Sequence, residues 1–303
     1  MEANKQKAIG RIQASLTALA FGLLGVFGKW GFSSGFSVGE LMAYRFFMAS
    51  VLLWIVVLLF KRRWIKIPLK QIGIFALLGI FGYAAMSITY LSAIKGLSLT
   101  TAVLILYTYP FWVSLFSHFF TKNKITKKEV VCLIIGAVGL VLLLGGHIEV
   151  KEFWAVISGL ASAIIYAAYI LLSEKYQNGT PPLASSLYVI TFGALALFVF
   201  YHPNVTGMNA LSHFQLFTIL GIAFICTILP LTLELAALQK IKSTEFSVIM
   251  MLEPISATMW GAIIFKEVLS PQQIVGALTI LGALGLRFIK TSSSTRPSLS
   301  DQH

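Results

Sequence analysis

Long uncharged apolar blocks alternate along this 303-residue chain with short breaks rich in glycine, proline, serine and lysine. Residues 71–94 and 96–121 carry no Asp, Glu, Lys or Arg at all. At 1.5 Å of rise per residue, about 20 apolar residues in a helix cross the hydrocarbon core of a bilayer. The pattern predicts ten such helices, over residues 10–29, 38–60, 71–93, 99–120, 128–146, 153–173, 183–201, 213–237, 244–264 and 270–289. Turn chemistry separates them: FSSGFSVG lies between the first two, QNGTPP before the seventh and HPNVTG after it.

Composition excludes a soluble reading. The chain is 57% hydrophobic and 11% charged, against about 25% charged residues in a soluble domain. The expectation is an all-α integral membrane protein, multi-pass in a cell (inner or plasma) membrane, with the bilayer as one partner. The basic start (Lys5, Lys7, Arg11) ahead of an apolar stretch resembles a signal peptide. Nine further apolar segments favour a retained first span. The net charge of +12 would suit nucleic acid, but its placement does not. With the N-terminus inside, 18 of the 23 Lys and Arg fall on cytoplasmic segments and four (Lys29, Lys95, Lys151, Lys266) on outer ones. Such a bias sets membrane orientation. It predicts both termini in the cytoplasm and no nucleic-acid partner. Arg45 alone among the Lys and Arg residues lies well inside a span rather than at its end.

The two halves repeat. LSAIKGLSLTTAVLILYTYPF (residues 91–111) aligns without gaps on LAALQKIKSTEFSVIMMLEPI (residues 235–255), and Pro110 falls on Pro254. IIGAVGL matches ILGALGL, FALLGI matches FTILGI, and LAFG matches IIYA more weakly, all at similar offsets. Five spans per half is an odd number, so the second half should thread the membrane in the opposite sense. Inverted repeats characterise secondary transporters, which expose a midplane site alternately to each side.

At this point the sequence resembles the drug/metabolite transporter superfamily, in its ten-span EamA type. The shared features are Lys29, the Arg45-Phe46 pair, an Ala-rich turn before a mid-helix proline in each half, and LEPISATMWGAIIFKEVLS (residues 252–270). The resemblance implies two EamA-like repeats, residues 1–149 and 150–290, with a disordered cytoplasmic tail at 291–303. It also implies a central cavity lined by spans one, three, four, six, eight and nine, which raises Tyr83, Tyr107 and Tyr166 as contacts. This chain departs from the pattern at Glu234, which stands opposite Tyr90 where an aromatic is commoner.

Glu253 is the first candidate for chemistry. It falls about 14 Å into span nine, where an ionised carboxylate costs about 2.5–3.5 kcal/mol on insertion scales. Such a group binds a cationic cargo, carries a coupling proton, or serves as a structural acid. Pro254 beside it, like Pro110, lacks an N–H and loosens its helix. The expected substrate-binding set is Glu253, Tyr83, Tyr90, Tyr107, Tyr166, Met250 and Trp260, with Glu253 also the proton-coupling candidate. Aromatic faces with polar handles point inward and attract organic cations. Arg45 is read as snorkelling to the outer interface, while Glu234 and Glu245 are read as interfacial partners of Lys240 and Lys242. Gly22, Gly25 and Gly28, Gly136 and Gly139, and Gly282 and Gly285 are read as close-packing positions.

Cys132 and Cys226 sit in apolar segments and the five histidines are scattered, so neither a disulfide framework nor a metal site is expected. There is no G-x-x-x-x-G-K phosphate loop and no H-E-x-x-H; no cofactor and no direct ATP drive are expected. The functional expectation is a non-ATP transporter of a small amine-bearing metabolite such as an amino acid, with export or exchange favoured. The alternative is uptake of a cationic nutrient such as a quaternary amine. An intramembrane lipid-modifying enzyme is the remote alternative, for which no nucleophile or ligand cluster is present. A monomer or weak homodimer is expected.

Overall fold

The computed structural model describes residues 2–121, 126–145, 148, 150–177, 179–203 and 211–288. The expected disordered tail at 291–303 lies outside these residues. The fold is all-helical, in ten helices: α1 Glu2–Ser33, α2 Val38–Phe60, α3 Leu69–Gly96, α4 Leu99–Leu106 continued by Tyr109–Thr121, α5 Lys127–Leu144, α6 Phe153–Tyr176, α7 Pro182–Tyr201, α8 His213–Leu238, α9 Ser243–Phe265 and α10 Pro271–Phe288. Eight of them are long and apolar enough to cross a membrane. The other two, α5 and α10, are 18 residues each. Charged Lys127, Lys128 and Glu129 open α5, and two glutamines open α10.

Local chemistry sets the helix ends. Ser37 and Glu40 form a reciprocal cap at the start of α2, as Ser212 and Gln215 do at α8. Ser98 caps α4 and Thr126 caps α5, each hydroxyl accepting an otherwise unpaired backbone N–H. Helix α1 begins eight residues before the expected span, because the polar stretch EANKQKAI is made largely of good helix formers.

Helices α5 and α10 pack on each other through glycine. A methyl group at Gly139 would lie 2.9 Å from the Gly276 carbonyl oxygen, and one at Gly276 would collide with the Leu143 backbone. Gly22 likewise sits hard against Ser256 and Ala257 of α9, and Gly136 against Met251. The same expectation fails at Gly25, Gly282 and Gly285, which have open space beside them, and at Gly28, whose only neighbour is the Phe32 ring at 3.8 Å. Gly276→Leu is expected to cost about 1–3 kcal/mol or more by overpacking, seen as a lower unfolding temperature in detergent. Gly282→Leu on the same helix should leave that temperature unchanged.

The long helix α6 defines two ends of the bundle, about 36 Å apart for its 24 residues. At its start, the Lys151 and Glu152 amides donate to the Gly96 carbonyl, beside the turn between α3 and α4. At its far end, Glu174 accepts from the Ser243 amide and the Gln177 carbonyl accepts from Gln239, beside the turn between α8 and α9. The two turns hold equivalent places in the repeat yet lie at opposite ends.

Candidate functional site

Four helices lose regular geometry at matching places in the two halves. In α4 the helix breaks at Tyr107–Thr108, where the Thr108 amide turns back to the Ile105 carbonyl and Pro110 brings no N–H for Leu106. In α9 it breaks at Met250–Met251: the Met251 amide donates to Val248 rather than Ser247, and the Glu253 amide takes the Met250 carbonyl at 3.0 Å. That carbonyl, which Pro254 would leave free, is thereby satisfied. Helices α3 and α8 widen to π-helical turns at Leu78–Ala84 and Phe224–Ile228. Single π-turns inside α-helices concentrate at functional sites.

Glu253 stands two residues past the α9 break and is half-buried. The Tyr107 phenol, from the α4 break, lies close to its carboxyl group. Tyr90 of α3 and Arg45 of α2 lie within electrostatic reach. From Tyr107 a run of rings crosses the core. Tyr107 to Tyr109 is 5.9 Å between centroids, Tyr109 to Tyr166 4.7 Å, Tyr166 to Tyr169 6.1 Å and stacked, and Tyr169 to Tyr83 5.7 Å edge-on. Tyr83 then meets Phe46 at 5.1 Å and accepts from Arg45 Nη2 at 3.5 Å. The structure therefore gathers Tyr83, Tyr107 and Tyr166 along one line from Glu253 to Arg45, while Tyr90 lies within electrostatic reach of Glu253 but packs against the separate cluster of Ala93, Leu97, Ala102 and Ala155. Tyr109 and Tyr169, which lie outside the expected set, complete it.

Met250 and Trp260 have other neighbours. Met250 is fully buried at the α9 break. The Trp260 indole N–H donates to the Leu19 carbonyl at 3.1 Å, and Ser256 Oγ donates to the same oxygen at 3.1 Å. Helix α1 is interrupted at Leu23, whose amide turns to Ala20 and leaves Leu19 without its usual partner. Trp260 and Ser256 thus fasten α9 to the break in α1.

Three ionisable residues differ from their expected settings. Arg45 does not snorkel: it is 3% exposed, its Nε donates to Thr227 Oγ1 at 2.6 Å and its Nη2 to the Cys226 carbonyl at 2.8 Å. It therefore clamps the π-turn of α8. Glu234 is not an interfacial partner of Lys240; it is fully buried, with neither carboxyl oxygen hydrogen-bonded. The Lys240 ammonium donates instead to the Ala236 carbonyl at 2.8 Å, and partial burial lowers its pKa. Glu245 is paired, but with Arg11 of α1. At the other end of the same two helices Lys29 pairs with Glu267 at 3.0 Å, so α1 and α9 run parallel and are tied at both ends.

A separate surface groove of about 460 Å³ between α2 and α7 is lined by none of these residues, and its polar groups are Ser50, Thr191 and His202 alone. Among the described residues, no three His, Cys, Asp or Glu side chains gather as metal ligands. The cluster offers an acid at a helix break, a wall of phenols and one fixed cation. That chemistry suits a charged, amine-bearing guest or a proton, and it provides no nucleophile.

Comparison with known proteins places these features in context. The chain matches the EamA-like transporter family twice, over residues 8–145 and 153–289. It is 23% identical to the uncharacterized transporter YcbK of Bacillus subtilis, over 96% of this chain and 95% of that one. It is 26% identical to the threonine/homoserine exporter RhtA of Escherichia coli over 65% of each chain. A crystal structure of a protein 16% identical in sequence shares the fold, with a TM-score of 0.78 over 92% of this chain and 96% of that one.

Proposed function

Because this chain belongs to the EamA-like transporter family, and is therefore a membrane transporter of a small molecule rather than an enzyme, we propose that it moves an amine-bearing metabolite of the amino-acid type by alternating access, in the direction of export or exchange. The observation that carries this reading is Glu253, a half-buried carboxylate beside a helix break and against Tyr107, with Tyr90 in reach. An α-ammonium group entering there gains a countercharge, and the rings beside it favour a cation on their faces. The similarity to an exporter named for threonine and homoserine supports the amino-acid class.

In this reading the ten helices are two inverted five-helix halves, with both termini cytoplasmic. The inversion is supported by equivalent helix breaks in α4 and α9 and by equivalent turns at opposite ends of the bundle. The basic residues favour the end bearing the α8–α9 turn as the cytoplasmic one. Tyr83 and Tyr166 form the far wall of the site, Tyr90 and Tyr107 the near wall, and the breaks at Pro110 and Pro254 let the two halves flex.

Counterflow in proteoliposomes tests the cargo. Purified protein loaded with unlabelled threonine, homoserine, other amino acids, choline or betaine is expected to exchange labelled threonine or homoserine. Exchange of the quaternary amines alone would move the reading to cationic-nutrient uptake, which the aromatic wall also suits. Exchange of none of these compounds would overturn it.

A further inference from the structure

The 144-residue offset that aligns the halves places Tyr90 on Glu234 and Tyr109 on Glu253. Each half thus supplies one phenol and one acid, at exchanged positions. In space, Tyr90 of α3 lies within electrostatic reach of Glu253 of α9, and Tyr109 of α4 within reach of Glu253 and, beyond it, of Glu234 of α8. Two acids and two phenols related by the repeat therefore share the core.

They differ in one respect. Glu253 is half-buried with Tyr107 close by, whereas Glu234 is fully buried, neither of its oxygens has a hydrogen-bond partner among the described residues, and the Tyr109 hydroxyl has none either. A carboxylate left ionised in that setting has no donor or cation among the described side chains to stabilise it, so the neutral acid is favoured. A polar latch lies between Glu234 and the nearer end of the bundle. Gln239 Nε2 donates to the Gln177 and Thr180 carbonyls at 2.9 and 2.8 Å, Thr180 Oγ1 donates to Gln71 Oε1 at 3.0 Å, and the Ser243 amide donates to Glu174 at 2.9 Å.

We propose that Glu234 is a second transport carboxylate, the counterpart of Glu253 for the opposite side of the membrane, and that it holds a proton behind this latch in the state seen here. When the latch opens, the proton passes to water on that side. The carboxylate then takes the substrate's ammonium group in its place, one cation for another, so the charge of the site is unchanged. The titratable groups that face Glu234 are Glu253 from α9, Tyr109 from α4, Tyr83 from α3, and Tyr166 and Tyr169 from α6. Helix α2 adds Arg45, which reaches Tyr83. Helices α1 and α7 meet α8 with Thr17 and Ser186, which do not titrate. The exchange step rests on the transport reading of Glu253; the stored proton does not.

Infrared difference spectroscopy of the full-length protein in lipid, with no substrate present, tests it. At neutral pH the wild type is expected to show the carbonyl stretch of a protonated carboxyl group that shifts only slowly in D2O. Glu234→Gln should lose that band, Glu253→Gln should keep it, and Gln239→Ala should make the shift fast by opening the latch. Should Glu234→Gln fail to fold, Glu234→Asp provides the second variant, in which the band moves rather than vanishes. A band unchanged in the Glu234 variants, or no such band in the wild type, would overturn the proposal. A normal band in a protein that exchanges none of the tested amines would defeat the cargo assignment and the exchange step that rests on it, and leave the stored proton standing.

Discussion

Glu253→Gln is expected to weaken the apparent affinity for the amine-bearing cargo about 10–100-fold while leaving the unfolding temperature close to that of the wild type. The amide has the shape of the carboxyl group and fills the same place beside Tyr107, so the packing at the α9 break is preserved. What is lost is the negative charge. A hydrogen bond to a charged partner is worth about 1.5–3 kcal/mol, and each 1.4 kcal/mol is a factor of ten in binding. Arg45 makes the loss sharper, because its fixed positive charge lies within reach and would then face an incoming ammonium group without opposition. The measurement is the concentration dependence of threonine or homoserine counterflow across a range of pH, beside a thermal unfolding curve. An affinity equal to the wild type at every pH would remove Glu253 from both of its assigned roles, cargo and proton. Tyr107→Phe, which removes one neutral donor, is expected to weaken affinity by less than tenfold.

The helices were legible in the sequence because lipid permits so few solutions: a backbone without water must bond to itself, and uncharged blocks of sufficient length become helices. The breaks were legible too, since Pro110 and Pro254 remove an N–H at one aligned place in each half. Tyr83, Tyr90, Tyr107 and Tyr166 could be named from helical faces. Their joining with Glu253 depends on how α3, α4, α6 and α9 cross, which no periodicity encodes. Arg45 and Glu234 were misjudged for a shared reason. Each lies within reach of a helix end, where snorkelling and surface pairing are the ordinary outcomes. In each case the neighbouring π-turn and the inward face of α8 hold the side chain inside instead. One signal for Glu234 did exist: its alignment with Tyr90, a residue already placed on an inward face. The glycines divide in the same way, for Gly139 and Gly285 look alike in sequence and only one of them meets another helix.

The repeat also gives the state of the molecule a physical meaning. Aligned segments of the two halves are unequally covered. The arm around the α8–α9 turn is almost entirely buried from Glu234 to Leu238 and from Phe246 to Met251, whereas its counterpart around the α3–α4 turn is half-exposed at Tyr90, Ile94 and from Val103 to Leu106. Equivalent sequences in unequal settings fit the proposed two-state exchange between halves, in which one arm would be sealed and the other open, with the roles reversed at the cost of a few polar contacts.

In the proposed exchange Arg45 is the residue that would hold the halves in check, and its replacement should act on stability and transport separately. Its guanidinium spans the Cys226 carbonyl and Thr227 Oγ1 on the α8 π-turn while touching the Tyr83 hydroxyl of α3. One planar fork therefore joins α2, α3 and α8. Arg45→Met deletes every one of these bonds and leaves the Cys226 carbonyl buried without its donor, at a cost of about 1–3 kcal/mol. The loss is moderated because Thr227 Oγ1 still donates to Ile222 and because a buried charge has gone. Arg45→Lys keeps the charge, but a single ammonium group on a flexible stem does not reproduce the fork. Both variants should thus unfold at lower temperature than the wild type. Counterflow should separate them: the lysine variant is expected to retain exchange above the methionine variant, since a cation still faces Tyr83 and Glu253. Equal exchange in the two would mean that Arg45 acts only as a clamp on the π-turn, and that its charge has no part in the balance between the two acids.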